Sequence, residues 1–141
     1  MAKMIYKGSA DGSFQKFELW KVNASQTIAE GSFVVLDTGK LDAAAATVTA
    51  NSIVGVAVSG ITTGSSVGDD DAILVDVNPN SLYEMDYTGG NPAQGTAYDL
   101  SNSQTLNKGD TTPAAIKVVS APDTANTRCV VKVMAGYHLY G

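Results

Sequence analysis

The sequence predicts an all-β protein, either a small β-barrel or a β-sandwich of about eight short strands. Three observations carry this prediction. Short apolar segments alternate with polar residues, and valine, threonine and isoleucine, which suit a pleated sheet, are frequent. Turn residues, including many of the 14 glycines, separate these segments. At 141 residues the chain is long enough for one domain with a buried core.

The first predicted strand begins at Phe14 and ends at Val22, and it is apolar on both faces. Phe17 and Leu19 lie on one face, whereas Phe14, Trp20 and Val22 lie on the other. Such a strand is either covered on both sides within its own domain or part of an interface. Both alternatives stay open at this point.

The other predicted strands share an alternating pattern of apolar and polar or small residues. In one of them Gly55 and Ala57 oppose a row of valines, and small residues there allow another backbone to approach closely. In the next, Ile73, Val75 and Val77 face inward and Asp76 faces water. The seven segments are residues 33–36, 53–58, 72–77, 82–87, 97–100, 114–119 and 129–134.

Residues 42–50 are ambiguous. The four alanines at 43–46 favour a helix, whereas Thr47, Val48 and Thr49 favour a strand, and the segment is too short to be a stable helix alone.

Residues 1–13 are predicted to be a flexible N-terminal arm, because the glycine and serine residues at their end show no periodicity. A disordered terminus and an arm that docks on a neighbouring subunit are both compatible with this composition. Residues 14–141 form the single predicted β domain.

Two halves of the chain echo each other. The first series consists of residues 31–37, Leu41, residues 53–59 and residues 73–77. The second consists of residues 95–101, Leu106, residues 115–120 and residues 130–133. Each series is a strand, a turn and two valine-rich strands. Two such halves would close together into a small barrel or sandwich, which limits exposed strand edges.

The charge of the chain and the length of its apolar stretches argue against two classes of partner. The net charge is −5, and the nine basic residues are scattered, whereas a nucleic-acid surface needs clustered lysine and arginine. No stretch is long and apolar enough to span a bilayer, so no membrane partner is expected. The N-terminus does not have the apolar stretch of a secretory signal, and a lone cysteine cannot form an internal disulfide. Synthesis in the cytoplasm is therefore the default expectation.

Few residues are suited to catalysis or metal binding. His138 is the only histidine, and Cys129 alternates with valines, which predicts a small buried hydrophobic side chain rather than a nucleophile. The acidic run at residues 69–71 has the oxygen ligands that calcium prefers, but the spacing of a calcium loop is not present, and a solvated turn is the favoured interpretation. We expect no enzymatic activity, no cofactor and no metal site.

A known family resembles this pattern. Residues 31–41, with a strand, a tight turn and a restart, lead into residues 53–58, and together they resemble the β-rich decoration proteins of tailed-phage capsids, also called cement or head-stabilising proteins. The similarity in pattern and composition extends over residues 28–135. The resemblance implies a virion protein without catalytic residues that binds the major capsid protein on the outer surface of the expanded shell as a homotrimer. The acidic net charge suits that location.

The contacts with the shell or with other subunits are predicted from apolar residues that one small core should not need. The N-terminal residues Met4, Ile5 and Tyr6 and the first strand supply most of them, and terminal aromatics are the next candidates. The full set is Met4, Ile5, Tyr6, Phe14, Trp20, Val22, Tyr137, His138 and Tyr140.

Two other functions remain open. The first is a carbohydrate- or receptor-binding β-sandwich module of a virion (head-fibre type), for which Tyr83, Tyr87 and Tyr98 are the candidate aromatic residues. The second is a tube or fibre component, which would assemble into filaments instead of a closed trimer.

Overall fold

A computed structural model describes residues 3–141, and within that range the chain consists of strands, turns and loops without a helix. All eight predicted strands are present, and five short strands accompany them. The all-β prediction is therefore confirmed. The strands are β1 (Ile5–Ser9), β2 (Phe17–Lys21), β3 (Thr27–Ile28), β4 (Phe33–Asp37), β5 (Lys40–Ala43), β6 (Ile53–Ala57), β7 (Ile61–Thr62), β8 (Ala72–Asp76), β9 (Ser81–Thr88), β10 (Ala97–Asn102), β11 (Thr105–Asn107), β12 (Ile116–Val118) and β13 (Arg128–Val133).

Most strands form two five-stranded units. The first barrel has the order β2-β8-β6-β4-β5, and a parallel bridge between Val22 and Leu41 connects its last strand to its first. The second barrel has the order β9-β11-β10-β12-β13 and closes through pairing of β13 with β9. The antiparallel pair of β3 and β7 forms a separate two-stranded sheet, and β1 extends the second barrel by pairing with β9.

The two barrels have the same topology and matching registers. Leu36 pairs with Leu41 in the first barrel, as Leu100 pairs with Leu106 in the second. Each barrel has one parallel contact, between β2 and β5 in the first and between β9 and β11 in the second, and the other pairs are antiparallel. The internal echo in the sequence is thus a structural repeat. It differs from the prediction in one respect: each half closes by itself, and the two halves do not form one barrel together.

Two apolar clusters fill the molecule. One lies within the first barrel and includes Val22, Val34 and Leu41, all fully buried. The other fills the second barrel and extends to residues of the first half, including Phe33 and Val56. The two barrels therefore pack against each other through a shared apolar cluster.

The prediction of a flexible arm is corrected for its described part. Residues 5–9 form β1, which pairs antiparallel with β9, and Tyr6 lies opposite Tyr83. Met4 is buried, and its N–H donates to Gly31 O at 2.8 Å. The short alternation that ends at Gly8, where the register shifts, is too brief to stand out in the sequence. Met1 and Ala2, also part of the predicted arm, lie outside the described residues.

The ambiguous segment at residues 42–50 is not helical. Its first two residues belong to β5, and the rest is a loop that the buried carboxylate of Asp99 holds. The two oxygens of Asp99 accept hydrogen bonds from Thr47 N at 2.6 Å and Val48 N at 3.3 Å. These bonds satisfy backbone donors that a helix would otherwise engage.

Candidate functional site

Four exposed apolar side chains lie together on the outer surface of the first barrel. Leu19 on β2 lies opposite Leu74 on β8, and Val58 N donates to Leu74 O at 2.9 Å, which places these three residues in one row across the sheet. Phe17 is next to this row on β2. The exposed fractions are 70% for Leu19, 52% for Phe17, 43% for Leu74 and 36% for Val58. We call Phe17, Leu19, Val58 and Leu74 the apolar patch.

The alternation within β2 explains why the patch is exposed. Trp20 and Val22 pack against the core of the first barrel, and Phe17 and Leu19, which the sequence pattern places on the opposite face, point outward. The sequence left open whether this strand is covered on both sides by its own domain or takes part in an interface. In the structure no other part of residues 3–141 covers Phe17 and Leu19 on its outer face. Contiguous apolar surface of this kind is typical of an interaction site.

The corresponding surface of the second barrel carries a charged residue at the position of Leu19. Leu19 and Leu74 of the first barrel correspond to Glu84 and Val130 of the second, by the registers of β2 with β8 and of β9 with β13. On the outer face of β9, Arg128 Nε donates to Glu84 Oε1 at 2.9 Å, and Arg128 Nη1 donates to Asp86 Oδ1 at 2.6 Å. The fold therefore does not require an apolar residue at the position of Leu19, where the second barrel has Glu84, and Val130, the counterpart of Leu74, is only half-exposed.

A groove of about 180 Å³ borders the patch. Its lining includes Phe17 and Val58 of the patch together with Met4, Tyr6 and Tyr83. Its size suits one large side chain of a partner rather than a small-molecule ligand, since ligand pockets usually exceed about 300 Å³.

A buried carboxylate fixes the wall of this groove. Asp76 is 1% exposed, and its oxygens accept hydrogen bonds from Tyr83 Oη at 2.6 Å, Ser81 Oγ at 2.7 Å, Asn78 N at 3.1 Å and Lys16 N at 3.2 Å. Burial, together with Asp76, raises the pKa of the Tyr83 phenol well above its usual value. The sequence prediction that Asp76 faces water is wrong, because the start of β9 covers this end of β8.

The N-terminal candidates divide between core and surface. Ile5 is 46% exposed and can reach a partner. Tyr6 is half-buried against Tyr83, with ring centroids 5.6 Å apart in an edge-to-face arrangement. Met4 is buried, so its predicted role as a contact is corrected to a core role.

The candidates of the first predicted strand divide in the same way. Phe14 is 87% exposed, the largest exposure of any large apolar residue in the described part of the chain. Trp20 is half-buried, and its Nε1 donates to Glu18 Oε1 at 3.2 Å. Val22 is fully buried in the first barrel and is corrected to a core residue.

The C-terminal aromatics lie against the domain. Tyr137 is half-buried against the shared cluster, and Tyr140 is half-exposed, with its hydroxyl donating to Glu18 Oε1 at 2.8 Å. His138 is 2% exposed, and its Nδ1 accepts a hydrogen bond from Tyr140 N at 3.1 Å. The predicted role of His138 as a contact is thus corrected to a core role.

Burial of His138 makes stability depend on pH. Burial lowers its pKa to about 4, with Lys132 acting in the same direction and Asp76 in the opposite one. In the unfolded chain the pKa is about 6.5. Between these two pKa values the unfolded state binds a proton that the folded state does not bind. The contribution of His138 to the free energy of unfolding is therefore present above about pH 6.5 and is lost as the pH decreases toward 4. Urea unfolding should show a loss of about 2 kcal/mol between pH 7.5 and pH 5 from this group.

The control for this prediction is His138→Gln, since carboxylates also titrate below about pH 5. The variant should show a flatter dependence between pH 7.5 and pH 5 than the wild type. Parallel curves for the two proteins would mean that His138 does not cause the loss.

The other candidates for chemistry have structural environments. Cys129 is buried, as predicted, and burial raises the pKa of its thiol to about 12. Lys21 Nζ lies 2.7 Å from Asp69 Oδ1, and Asp71 Oδ2 accepts a hydrogen bond from Gly68 N at 2.8 Å, so this acidic run is a turn before β8. Over residues 3–141, no group of three or more His, Cys, Asp or Glu residues is arranged to hold a metal ion.

The sequence reasoning missed Leu74 and Val58 as surface residues. A signal for Leu74 was present, because a leucine at the outward position between two inward residues of an alternating strand is unexpected for a solvated face. Val58 gave no such signal, since it continues the row of inward valines of β6 past the end of that strand.

The tyrosines considered for a carbohydrate site are buried. Tyr83 is 6% exposed, Tyr87 5% and Tyr98 4%, so none offers an open ring face for stacking on a sugar. No helix in the described range is long and apolar enough to cross a membrane. No protein-family model matches the sequence, and a search of curated proteins finds no significant match.

Proposed function

We propose that this chain is a structural virion protein that binds the outer surface of an assembled tailed-phage capsid as a homotrimer and stabilises the shell. The observation that carries the proposal is the apolar patch, an uncovered apolar row on an otherwise well-packed double barrel. The resemblance of residues 31–41 and 53–58 to capsid decoration proteins supplies the class of partner, the major capsid protein. The acidic net charge supports a location outside a DNA-filled shell.

The proposed mechanism is preferential binding rather than catalysis. A protein that binds only the assembled lattice stabilises it by RT ln(1 + [L]/Kd), about 4 kcal/mol when the free concentration is a thousand times Kd. A trimer strengthens the effect, since the second and third contacts become intramolecular and raise avidity by about 10²–10⁴. Rigid barrels help because little conformational entropy is lost on binding.

The first test combines two measurements on the wild-type chain. Size-exclusion chromatography with light scattering should give the mass of a trimer. Co-sedimentation with expanded shells of the cognate phage that lack this protein should show saturable binding. A monomer that ignores the shells would contradict the proposal.

The patch can be tested with Leu19→Lys. Lysine is well tolerated on edge strands, so the unfolding free energy should change by less than about 1 kcal/mol. A partner that buries this position would have to desolvate the ammonium group, and shell or subunit binding should therefore weaken by at least about tenfold, as at an interface hot spot. Co-sedimentation and light scattering measure both effects.

The matched control is Thr88→Lys, which adds the same charge at an exposed position at the end of β9. It should leave shell binding and oligomeric mass unchanged. Equal losses in both variants would assign the effect to charge alone, and unchanged binding by the Leu19 variant would exclude the patch from the interface.

A further inference from the structure

One edge of β9 shows how this fold uses an added strand. β9 pairs with β13 over Tyr83–Asp86, and at its beginning it also pairs with β1, with Ile5 opposite Glu84 and Ser9 opposite Ser81. At its end β9 pairs with β11 and closes the barrel. The added strand β1 therefore occupies the part of the edge that the closing strand leaves free.

The corresponding edge of the first barrel has no such strand. β2 is the counterpart of β9. β2 pairs with β8 on one side and bridges to β5 through Val22 and Leu41 on the other. In the same way β9 pairs with β13 on one side and with β11, through Tyr87 and Leu106, on the other. This register makes residues 16–19 the counterparts of residues 81–84. Within residues 3–141, no strand pairs with that edge of β2 along residues 16–19.

The backbone orientation of β2 leaves alternate peptide groups at this open edge. Lys16 O accepts a hydrogen bond from Val77 N at 2.7 Å, and Val22 N donates to Asp71 O at 2.8 Å, so the even-numbered residues face β8. Phe17 and Leu19 therefore direct their N–H and C=O groups away from β8. Their side chains belong to the apolar patch, and the groove beside Phe17 has room for one large side chain.

We propose that the open edge of β2 is a strand-addition site that receives an extended segment of the shell protein. By the pattern of β1 on β9, the segment runs antiparallel to β2 along Lys16–Leu19. Backbone hydrogen bonds to Phe17 and Leu19 supply affinity, and apolar side chains at alternate positions of the segment cover the patch. The identity of the partner depends on the proposed function above, whereas the edge follows from the repeat of the two barrels.

Hydrogen–deuterium exchange of the amides of Phe17 and Leu19 tests the site directly. In the free protein these amides should exchange rapidly, and on shells saturated with the protein they should become protected by at least about tenfold, because a hydrogen-bonded edge exchanges only on opening. The amides of Glu18 and Trp20, which face β8, serve as an internal reference and should be protected in both states.

A pair of variants separates the backbone from the side chain. Leu19→Ala removes the patch side chain but keeps the N–H, whereas Leu19→Pro removes the N–H at the open edge and leaves the bonds to β8 in place. The proline variant should bind shells at least about tenfold more weakly than the alanine variant. The exchange measurement on the wild type decides the question if the proline variant does not fold.

The remaining outcomes overturn the inference in distinguishable ways. Protection already present in the shell-free trimer would assign the edge to a contact between copies of this chain. Rapid exchange at Phe17 and Leu19 on shells that are fully occupied would exclude the edge and leave the proposed function intact. If the protein does not bind shells at all, both the strand-addition site and the proposed function are contradicted.

Discussion

The Gly55→Ala variant is expected to lose more than about 3 kcal/mol of unfolding free energy, or to fail to fold. An added Cβ would lie 1.9 Å from the carbonyl oxygen of Asp76 and 2.8 Å from its carbonyl carbon. Both atoms belong to the backbone of the neighbouring strand β8, so no side chain can rotate to make room. Overpacking usually costs about 1–3 kcal/mol when side chains can adjust, and a clash between two strand backbones exceeds that range. Urea unfolding followed by circular dichroism measures the loss.

Gly64→Ala is the matched control for this substitution. An added Cβ at Gly64 has no heavy atom within 4 Å, and the residue does not have the positive φ that would strain an alanine. The variant should change stability by less than about 1 kcal/mol and can raise it by limiting the freedom of the unfolded chain. Equal stabilities for the two variants would mean that β6 and β8 separate more easily than their close approach indicates.

The position of Gly55 shows what the sequence could and could not predict. Small residues opposite the valines of β6 predicted a close backbone approach, and Asp76 O is the atom that approaches. The repeat adds a comparison that the sequence alone did not give: the counterpart of Gly55 in the second barrel is Ile116, since Val34 pairs with Gly55 as Tyr98 pairs with Ile116. The second barrel accommodates a large side chain at a position where the first barrel brings two strands together.

The eight strands were predictable because alternation over four or more residues is a strong signal. The five additional strands were not, since β3 and β7 have two residues each and β11 has three. Their pairing depends on the closure of the barrels, which is a long-range property. β1 was missed for the same reason: its partner β9 lies more than seventy residues further along the chain.

The candidate surface was predicted only in part. The sequence located the strand with two apolar faces, and it predicted correctly that Phe17 and Leu19 share one of them. It could not show which face the rest of the chain would leave open, because that depends on how the two barrels pack. Val22 and His138 were chosen for their chemical type, and tertiary packing buries both.

The Asp76→Ala variant is expected to lose about 4 kcal/mol and to alter the presentation of the patch. The substitution removes the acceptor of four hydrogen bonds. The donors left without this acceptor are Tyr83 Oη, Ser81 Oγ, Asn78 N and Lys16 N. Each buried donor without a partner costs about 1–3 kcal/mol, although Tyr83 keeps the bond that it accepts from Gln15 Nε2 at 3.1 Å. Urea unfolding gives the loss in stability.

A double-mutant cycle with Tyr83→Phe tests whether the network, rather than the lost side-chain volume, causes the effect. The phenylalanine variant removes one of the donors that Asp76 satisfies, so the second substitution should cost less in the Asp76→Ala background than in the wild type. Asp123→Ala, in an exposed turn where the carboxylate binds Asn126, should change stability far less than Asp76→Ala. Additive losses in the cycle would show that Asp76 and Tyr83 act independently. A coupled loss that also weakens shell binding would link the buried carboxylate of Asp76 to the surface. The connection runs through Lys16, because Asp76 accepts a hydrogen bond from Lys16 N and the next residue, Phe17, begins β2 and belongs to the patch.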